Sequence, residues 1–191
     1  MGKTIKERGD HKRLIRKATL NDVSFIQKLV NSYAEKGEML PRSIGDICDN
    51  IRDFFIYEDN GEVIGCCALH VTWVDLAEIR SLAVTDEYQG KGIGTILLNA
   101  CIDDALKLAI KKVFALTYKP EFFEKKGFQR VDKSQLPHKV WVACVNCIKF
   151  PDCDEVAVIR QIAESDKKNS TNNENGVIDS FFDVSNGVFR R

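Results

Sequence analysis

No stretch of the 191-residue sequence approaches the roughly 20 consecutive apolar residues that span a bilayer, so a transmembrane helix is excluded. Neither sign of charge prevails. The 28 Lys and Arg residues are matched by 28 Asp and Glu, and no net field draws the chain to nucleic acid or to an anionic membrane. The N-terminus lacks a signal-peptide core, and Met1-Gly2 misses the myristoylation pattern because Lys6 stands at its Ser/Thr position. These absences lead us to expect a cytoplasmic protein with no membrane or nucleic-acid partner, whose seven cysteines are thiols or metal ligands rather than disulfides. A homodimer stays open. The length suits one domain with a core large enough to fold alone.

What is present centres on Gln89-Gly90-Lys91-Gly92-Ile93-Gly94. This turn follows an apolar run, Ile79 to Val84, that reads as a buried strand, and it opens into a helical pattern. Apolar Ile93, Ile96, Leu97, Ala100, Cys101, Ala105 and Leu108 recur at helical spacing, opposite a polar stripe of Thr95, Asn99, Asp103 and Lys107. A glycine-rich turn at a helix start offers free N–H groups at the positive end of the helix dipole, a cradle for a pyrophosphate. A Walker loop is excluded, because no Gly-Lys pair precedes Thr95. The dinucleotide fingerprint needs a glycine where Thr95 stands.

Along the chain, residues 1–13 read as a flexible arm, 14–164 as the folded domain and 165–191 as a disordered tail rich in Asn, Ser and Lys. Leu14–Ala18 is the first strand. Thr19 or Asn21 caps a helix that buries Phe25, Ile26, Leu29, Val30 and Tyr33, and Gly37 ends it. Ser43 caps a second helix through Ile44, Ile47, Ile51 and Phe54. Asp59-Asn60-Gly61 joins two strands in a hairpin. Further strands are expected at Ala77–Val84, Val113–Thr117, Val140–Val145 and Glu155–Ile162, with Pro120 opening a short helix.

The Gln-x-x-Gly-x-Gly pattern resembles the turn of the GNAT acetyltransferases. Glu78 and Leu82-Ala83-Val84 fit the strand before it, and Glu121 to Phe128 resembles the family's short helix and Lys-x-Gly-Phe turn. The resemblance implies an α/β (α+β) fold with a central mixed, mostly antiparallel sheet of about seven strands, flanked by helices and splayed at the acetyl-CoA site. It implies that acetyl-CoA is held by Leu82, Ala83, Val84, Gln89, Gly90, Lys91, Gly92, Ile93, Gly94 and Thr95.

Acetyl transfer to an amine requires a deprotonated amine, aligned reactants, a polarised carbonyl and a stabilised thiolate. A backbone N–H within Leu82–Val84 would polarise the carbonyl. Glu78 is the candidate base, and by strand alternation it shares a face with Arg80, Leu82 and Val84. The alternative is that Glu78 simply pairs with Arg80. His70 is a second candidate base. Where many relatives carry a tyrosine near the CoA sulfur this chain has Phe123, which leaves Tyr118 as the nearest phenol and candidate acid.

Met39-Leu40-Pro41-Arg42-Ser43 and the segment from Phe114 to Pro137 resemble the stand-alone short forms of the N-acetylglutamate synthases. The resemblance implies L-glutamate as acceptor, the first step of arginine synthesis, without an amino-acid-kinase domain for feedback. Bidentate arginine suits a carboxylate. Arg42 and Arg80 are the expected holders, with Lys119 where relatives have arginine.

Cys144-x2-Cys147-x5-Cys153, with His138 upstream, forms a separate cluster of potential ligands. It reads as a zinc site, as reduced thiols near the closing strands, or as a redox pair at Cys144 and Cys147.

Overall fold

Asn60 and Gly61 both take positive φ, 53° and 83°, and join β2 (Phe54–Asp59) to β3 (Glu62–Trp73) through the tight turn the sequence predicts. A computed structural model describes residues 12–137 and 152–163, with residues 140, 145, 147, 149 and 166. Most of the expected arm and tail lies outside the described residues. So do His138 and Cys144.

Seven strands form one sheet in the order β1-β2-β3-β4-β5-β7-β6. Besides the hairpin pair, these are β1 (Arg13–Lys17), β4 (Leu76–Val84), β5 (Lys112–Thr117), β6 (Gln129–Val131) and β7 (Val156–Gln161). All neighbours are antiparallel except β4 and β5. Among the described residues, α1 runs over Val23–Glu35, α2 over Ile44–Asp49, α3 over Ile93–Lys107 and α4 over Pro120–Glu124. One expected strand is corrected. Val140 and Val145 are helical, so no strand runs from one to the other; the residues between lie outside the description.

Each face of the sheet carries its own apolar cluster. On one face α3 buries Ile93, Leu97, Leu98, Cys101, Ile102 and Ala105 against Leu69, Ala77 and Ile79. Burying one leucine fully contributes about 1.5–3 kcal/mol, so this stripe anchors α3 firmly. Leu108, expected in the stripe, caps the helix and is exposed. On the other face α1 buries Val23, Ile26, Leu29, Val30 and Tyr33 against Ile56, Cys66 and Ala68. A short 3-10 turn, Leu20–Asp22, precedes α1, and the Asp22 carboxylate accepts the Thr19 N–H at 2.7 Å. Ser43 caps α2 as predicted, accepting from the Asp46 N–H at 3.1 Å.

Two irregularities create the site. In β4 the register slips where Cys66 faces Ala83 but Ala68 faces Arg80, and Ser81 takes a φ of 50°. This β-bulge inserts one extra residue and reverses which side chains face which way. Ala77 and Ile79 lie in the α3 cluster, and past the bulge so do Leu82 and Val84, while Ala83 joins the α1 cluster. The alternation predicted for Glu78, Arg80, Leu82 and Val84 is therefore corrected: Leu82 and Val84 lie on the face opposite Glu78 and Arg80. Second, β4 pairs with β5 only from Leu76–Lys112 to Glu78–Phe114. Beyond Glu78 the two strands diverge, and β5 continues along β7 to Thr117–Val156.

Candidate active site

The divergence of β4 and β5 opens a cleft of about 480 Å³. One half is built from the end of β4 and the start of α3: Leu82, Ala83, Val84, Gln89, Gly90, Gly92, Ile93, Gly94 and Thr95 all line it. Gly90 and Gly92 have φ of 73° and 84°, a conformation in which a side chain is strained. Gly92 caps α3 and its carbonyl accepts the Thr95 N–H at 3.0 Å, while the N–H groups of Ile93 and Gly94 have no earlier helical carbonyl to bind. A Cβ on Gly94 would meet the Phe122 ring of α4 at 3.7 Å, so this aromatic wall stands against the helix start. Lys91 alone of the predicted turn residues does not line the cleft; its ammonium lies 4.4 Å from the centroid of the Tyr88 ring.

The bulge is held from both sides. Burial pushes the Cys66 thiol up to about 12, so it keeps its proton and donates to the Ser81 carbonyl at 3.4 Å. The Tyr33 hydroxyl donates to the Val84 carbonyl, accepts from Gln89 Nε2 at 2.6 Å and lies 3.1 Å from Asp86 Oδ1. Burial, with Asp86 beside it, pushes the Tyr33 phenol up to about 12. Gln89 thus braces the turn through its side chain.

The cleft is also lined by charged groups. Glu78, in the middle of β4, is 8% exposed, and Arg80 grips its Oε2 through Nε at 2.6 Å and Nη2 at 2.5 Å. Both readings of Glu78 stand side by side here: it is in the cleft, and it is paired. Arg42 lines the cleft from the loop after α1, its Nη1 2.7 Å from Asp46 Oδ2. Lys119, at the start of α4, reaches Glu38 at 2.7 Å, a contact between two opposite rims. Each expected carboxylate holder is therefore brought to the cleft with an acid already on it.

Tyr118 also lines the cleft, but its hydroxyl donates to Asp154 Oδ1 at 3.0 Å and accepts from Lys149. Burial raises this phenol above its ordinary value, which makes it a weaker acid. Phe123, buried edge-on against Phe128 at 5.2 Å, is a wall without a hydroxyl. Gly127, at φ 82°, lets the Phe128 N–H reach the Phe123 carbonyl at 3.1 Å, which closes the predicted turn. His70 faces Glu78 across the strand pair, yet it is held by Asp53 at 2.7 Å and does not line the cleft.

Four side chains of the cleft escape a reading of the sequence as site residues: Tyr33, Glu38, Tyr88 and Glu155. Tyr33 was legible only as a core residue, and the two glutamates belong to no motif. Among the described residues no three His, Cys, Asp or Glu side chains are grouped to hold a metal. Cys147 and Cys153 are free thiols, and Cys153 Sγ lies 3.7 Å from Glu155 Oε2. Among the described residues no helix is long and apolar enough to cross a membrane.

Comparison with known proteins gives a consistent picture. Residues 23–128 match the acetyltransferase (GNAT) family. An uncharacterized N-acetyltransferase of Chlorobaculum tepidum is 41% identical over 148 residues, 78% of this chain and 96% of that protein. An amino-acid acetyltransferase of Mycobacterium tuberculosis is 34% identical, over 69% of this chain and 77% of its own. Among solved structures, the N-acetylglutamate synthase of Neisseria gonorrhoeae, complexed with coenzyme A and N-acetyl-glutamate, superposes with a TM-score of 0.71 at 30% identity. That match covers 79% of this chain and 35% of the synthase, so the chain spans about a third of it.

Proposed function

The chain belongs to the GNAT acetyltransferase family, an acetyl-CoA-dependent enzyme family, and from that premise we propose that it acetylates the α-amine of L-glutamate. The products are N-acetyl-L-glutamate and CoA, the opening step of arginine synthesis. The observation that carries this reading is the grouping of Arg42, Arg80 and Lys119 in the lining of the cleft that the glycine turn also lines. Two carboxylates on the acceptor need two cationic holders, and a guanidinium supplies two parallel N–H donors to each. The likeness to a synthase solved with N-acetyl-glutamate supports the same acceptor.

In this reading the glycine turn and the first turn of α3 take the pyrophosphate, and Leu82–Val84 align the thioester. The acceptor ammonium loses a proton to a carboxylate of the cleft, Glu78 being the one the sequence marks. The amine then attacks the thioester carbonyl, and a backbone N–H beyond the bulge meets the oxygen as it becomes negative. The C–S bond breaks with its electron pair on sulfur, and the second amine proton completes the CoA thiol. The co-substrate sits in the α3 half and the acceptor in the other, so transfer is direct, within a ternary complex.

A different amine is favoured by one observation: Glu38, Glu78 and Glu155 line the same cleft as the three cations. Release of CoA thiol from acetyl-CoA, measured with glutamate, other amino acids, polyamines and no acceptor, separates the two. Saturable turnover with glutamate alone supports the synthase reading. Turnover only with another amine removes glutamate and keeps the chemistry.

A further inference from the structure

Glu155 stands immediately before β7, whose first residue Val156 pairs with Thr117, the last residue of β5. It therefore enters the cleft from the strand pair that diverges from β4, while Glu78 enters from β4 itself. The two carboxylates differ in their surroundings. Glu78 gives one oxygen to Arg80 through two short contacts. Glu155 has no ion-pair partner among the described residues; its hydrogen-bond neighbour is the Cys153 thiol, 3.7 Å from Oε2.

Four other groups act on it. Glu78 faces it from β4, Lys133 from the 3-10 turn after β6, Lys149 from the segment before β7, and Tyr118 from the end of β5. Lys133 places its ammonium on the Cys153 carbonyl at 2.7 Å, and Lys149 is engaged by Tyr118 and Asp154, so neither is seated on Glu155. Glu155 thus lines the cleft with a carboxylate that no described cation holds in an ion pair, while the carboxylate of Glu78 is gripped by Arg80.

We infer that Glu155 is the second carboxylate of the acceptor site, seated opposite Glu78, and that it takes the proton the acceptor ammonium must lose before it attacks. This rests on the acetyltransferase reading above. The first ammonium proton passes to a Glu155 oxygen and then to solvent. The nitrogen lone pair forms the C–N bond, the C–S bond breaks, and the second proton leaves with the CoA thiol. Glu78, already tied to Arg80, anchors the cation. Glu155 has the freer lone pairs and no guanidinium to displace.

The test is the pH dependence of acceptor turnover by the full-length protein. Wild type, E155Q, E155D and E78Q are assayed for CoA release from about pH 5.5 to 9.5, with glutamate and with the amine panel. The expected result is a loss of about 100-fold in acceptor kcat/KM for E155Q, with the acid limb of the profile abolished and the KM for acetyl-CoA unchanged. E155D should recover part of the rate and restore an acid limb displaced to lower pH, and this variant carries the test if E155Q fails to fold. An acid limb retained in E155Q, or acceptor kcat/KM within about threefold of wild type, overturns the role. So does an equal rise in the KM for acetyl-CoA, which marks a structural effect. Wild-type activity with another amine but not glutamate sinks the glutamate reading alone, and Glu155 is then judged with that amine. Inactivity with every amine overturns both.

Discussion

The phenol of Tyr33, in the last turns of α1, donates its proton to the backbone carbonyl of Val84, at the end of β4. The same oxygen accepts from Gln89 at the mouth of the glycine turn. A helix on one face of the sheet thus fixes the strand end and the turn that line the cleft. Tyr33→Phe removes both bonds while keeping the ring in the α1 cluster. The expected cost is about 1–2 kcal/mol in stability, read by denaturant unfolding. The KM for acetyl-CoA should rise severalfold and that for the acceptor should not; an unchanged acetyl-CoA constant would show that the turn holds its shape without Tyr33.

Gly92 caps α3 at a φ of 84°, with open space where a Cβ would stand. Gly92→Ala therefore adds no clash, only the strain of a left-handed alanine, about 1–2 kcal/mol. Gly92→Glu adds a carboxylate at the turn proposed to hold a pyrophosphate. A repulsion of about 1.4 kcal/mol is tenfold in affinity, so the KM for acetyl-CoA should rise about tenfold beyond that of the alanine variant. Equal constants for the two variants would place the pyrophosphate elsewhere.

Arg42 lines the cleft with its guanidinium on Asp46. Arg42→Ala should weaken glutamate by 10- to 100-fold or so, the equivalent of one charged hydrogen-bond pair, about 1.5–3 kcal/mol. The acetyl-CoA constant should stay within about twofold of wild type, since in the proposed reading Arg42 holds the acceptor and not the co-substrate. Initial rates with each substrate varied in turn decide it, and a wild-type glutamate constant removes Arg42 from the site.

Asp22 supplies the pH-dependent part of stability away from the cleft. Arg16 clamps both of its oxygens at 2.8 Å, which holds the carboxyl below its ordinary value despite burial. A carboxyl that is lower in the folded than in the unfolded chain stabilises above about pH 4, its unfolded value, and stops doing so as pH falls through the folded value. Asp22→Asn should cost about 1.5–3 kcal/mol at neutral pH. Urea unfolding of the two proteins should converge as pH falls through the acid range. A constant difference across that range would show that the contribution comes from packing and not from charge.

How much of this was legible depends on whether the signal was local. The Asn60-Gly61 hairpin, the Ser43 cap and the glycine turn before α3 are set by a few consecutive residues whose backbone needs are fixed by their own chemistry, and each is found where the sequence puts it. The bulge at Ser81 was not legible, because a serine in the left-handed region carries no mark that a glycine would. Its consequence, the changed side of Leu82 and Val84, defeated an inference that strand alternation alone would license. Val140 and Val145 misled for a related reason: a β-branched run reads as a strand until tertiary contacts decide otherwise. Arg42 and Lys119 were legible as cations but not as members of ion pairs, since Asp46 and Glu38 become partners only through a helical turn or the fold, whereas the Arg80–Glu78 pair was one of the two readings that strand alternation offered. Glu155 was legible only as the start of an expected strand, not as a residue of the site. It reaches the cleft because β7 runs antiparallel to β5, and that pairing joins segments some forty residues apart.

The parting of β4 and β5 beyond Glu78 has an evolutionary side. Two adjacent strands that continued to pair would add ladder hydrogen bonds and bury more apolar surface, and the protein would be harder to unfold. It would also have nowhere to put a substrate. Selection for thermal endurance alone would push the chain toward zipping this seam, so any programme that ranks variants by melting temperature will enrich inert ones unless turnover is scored beside it.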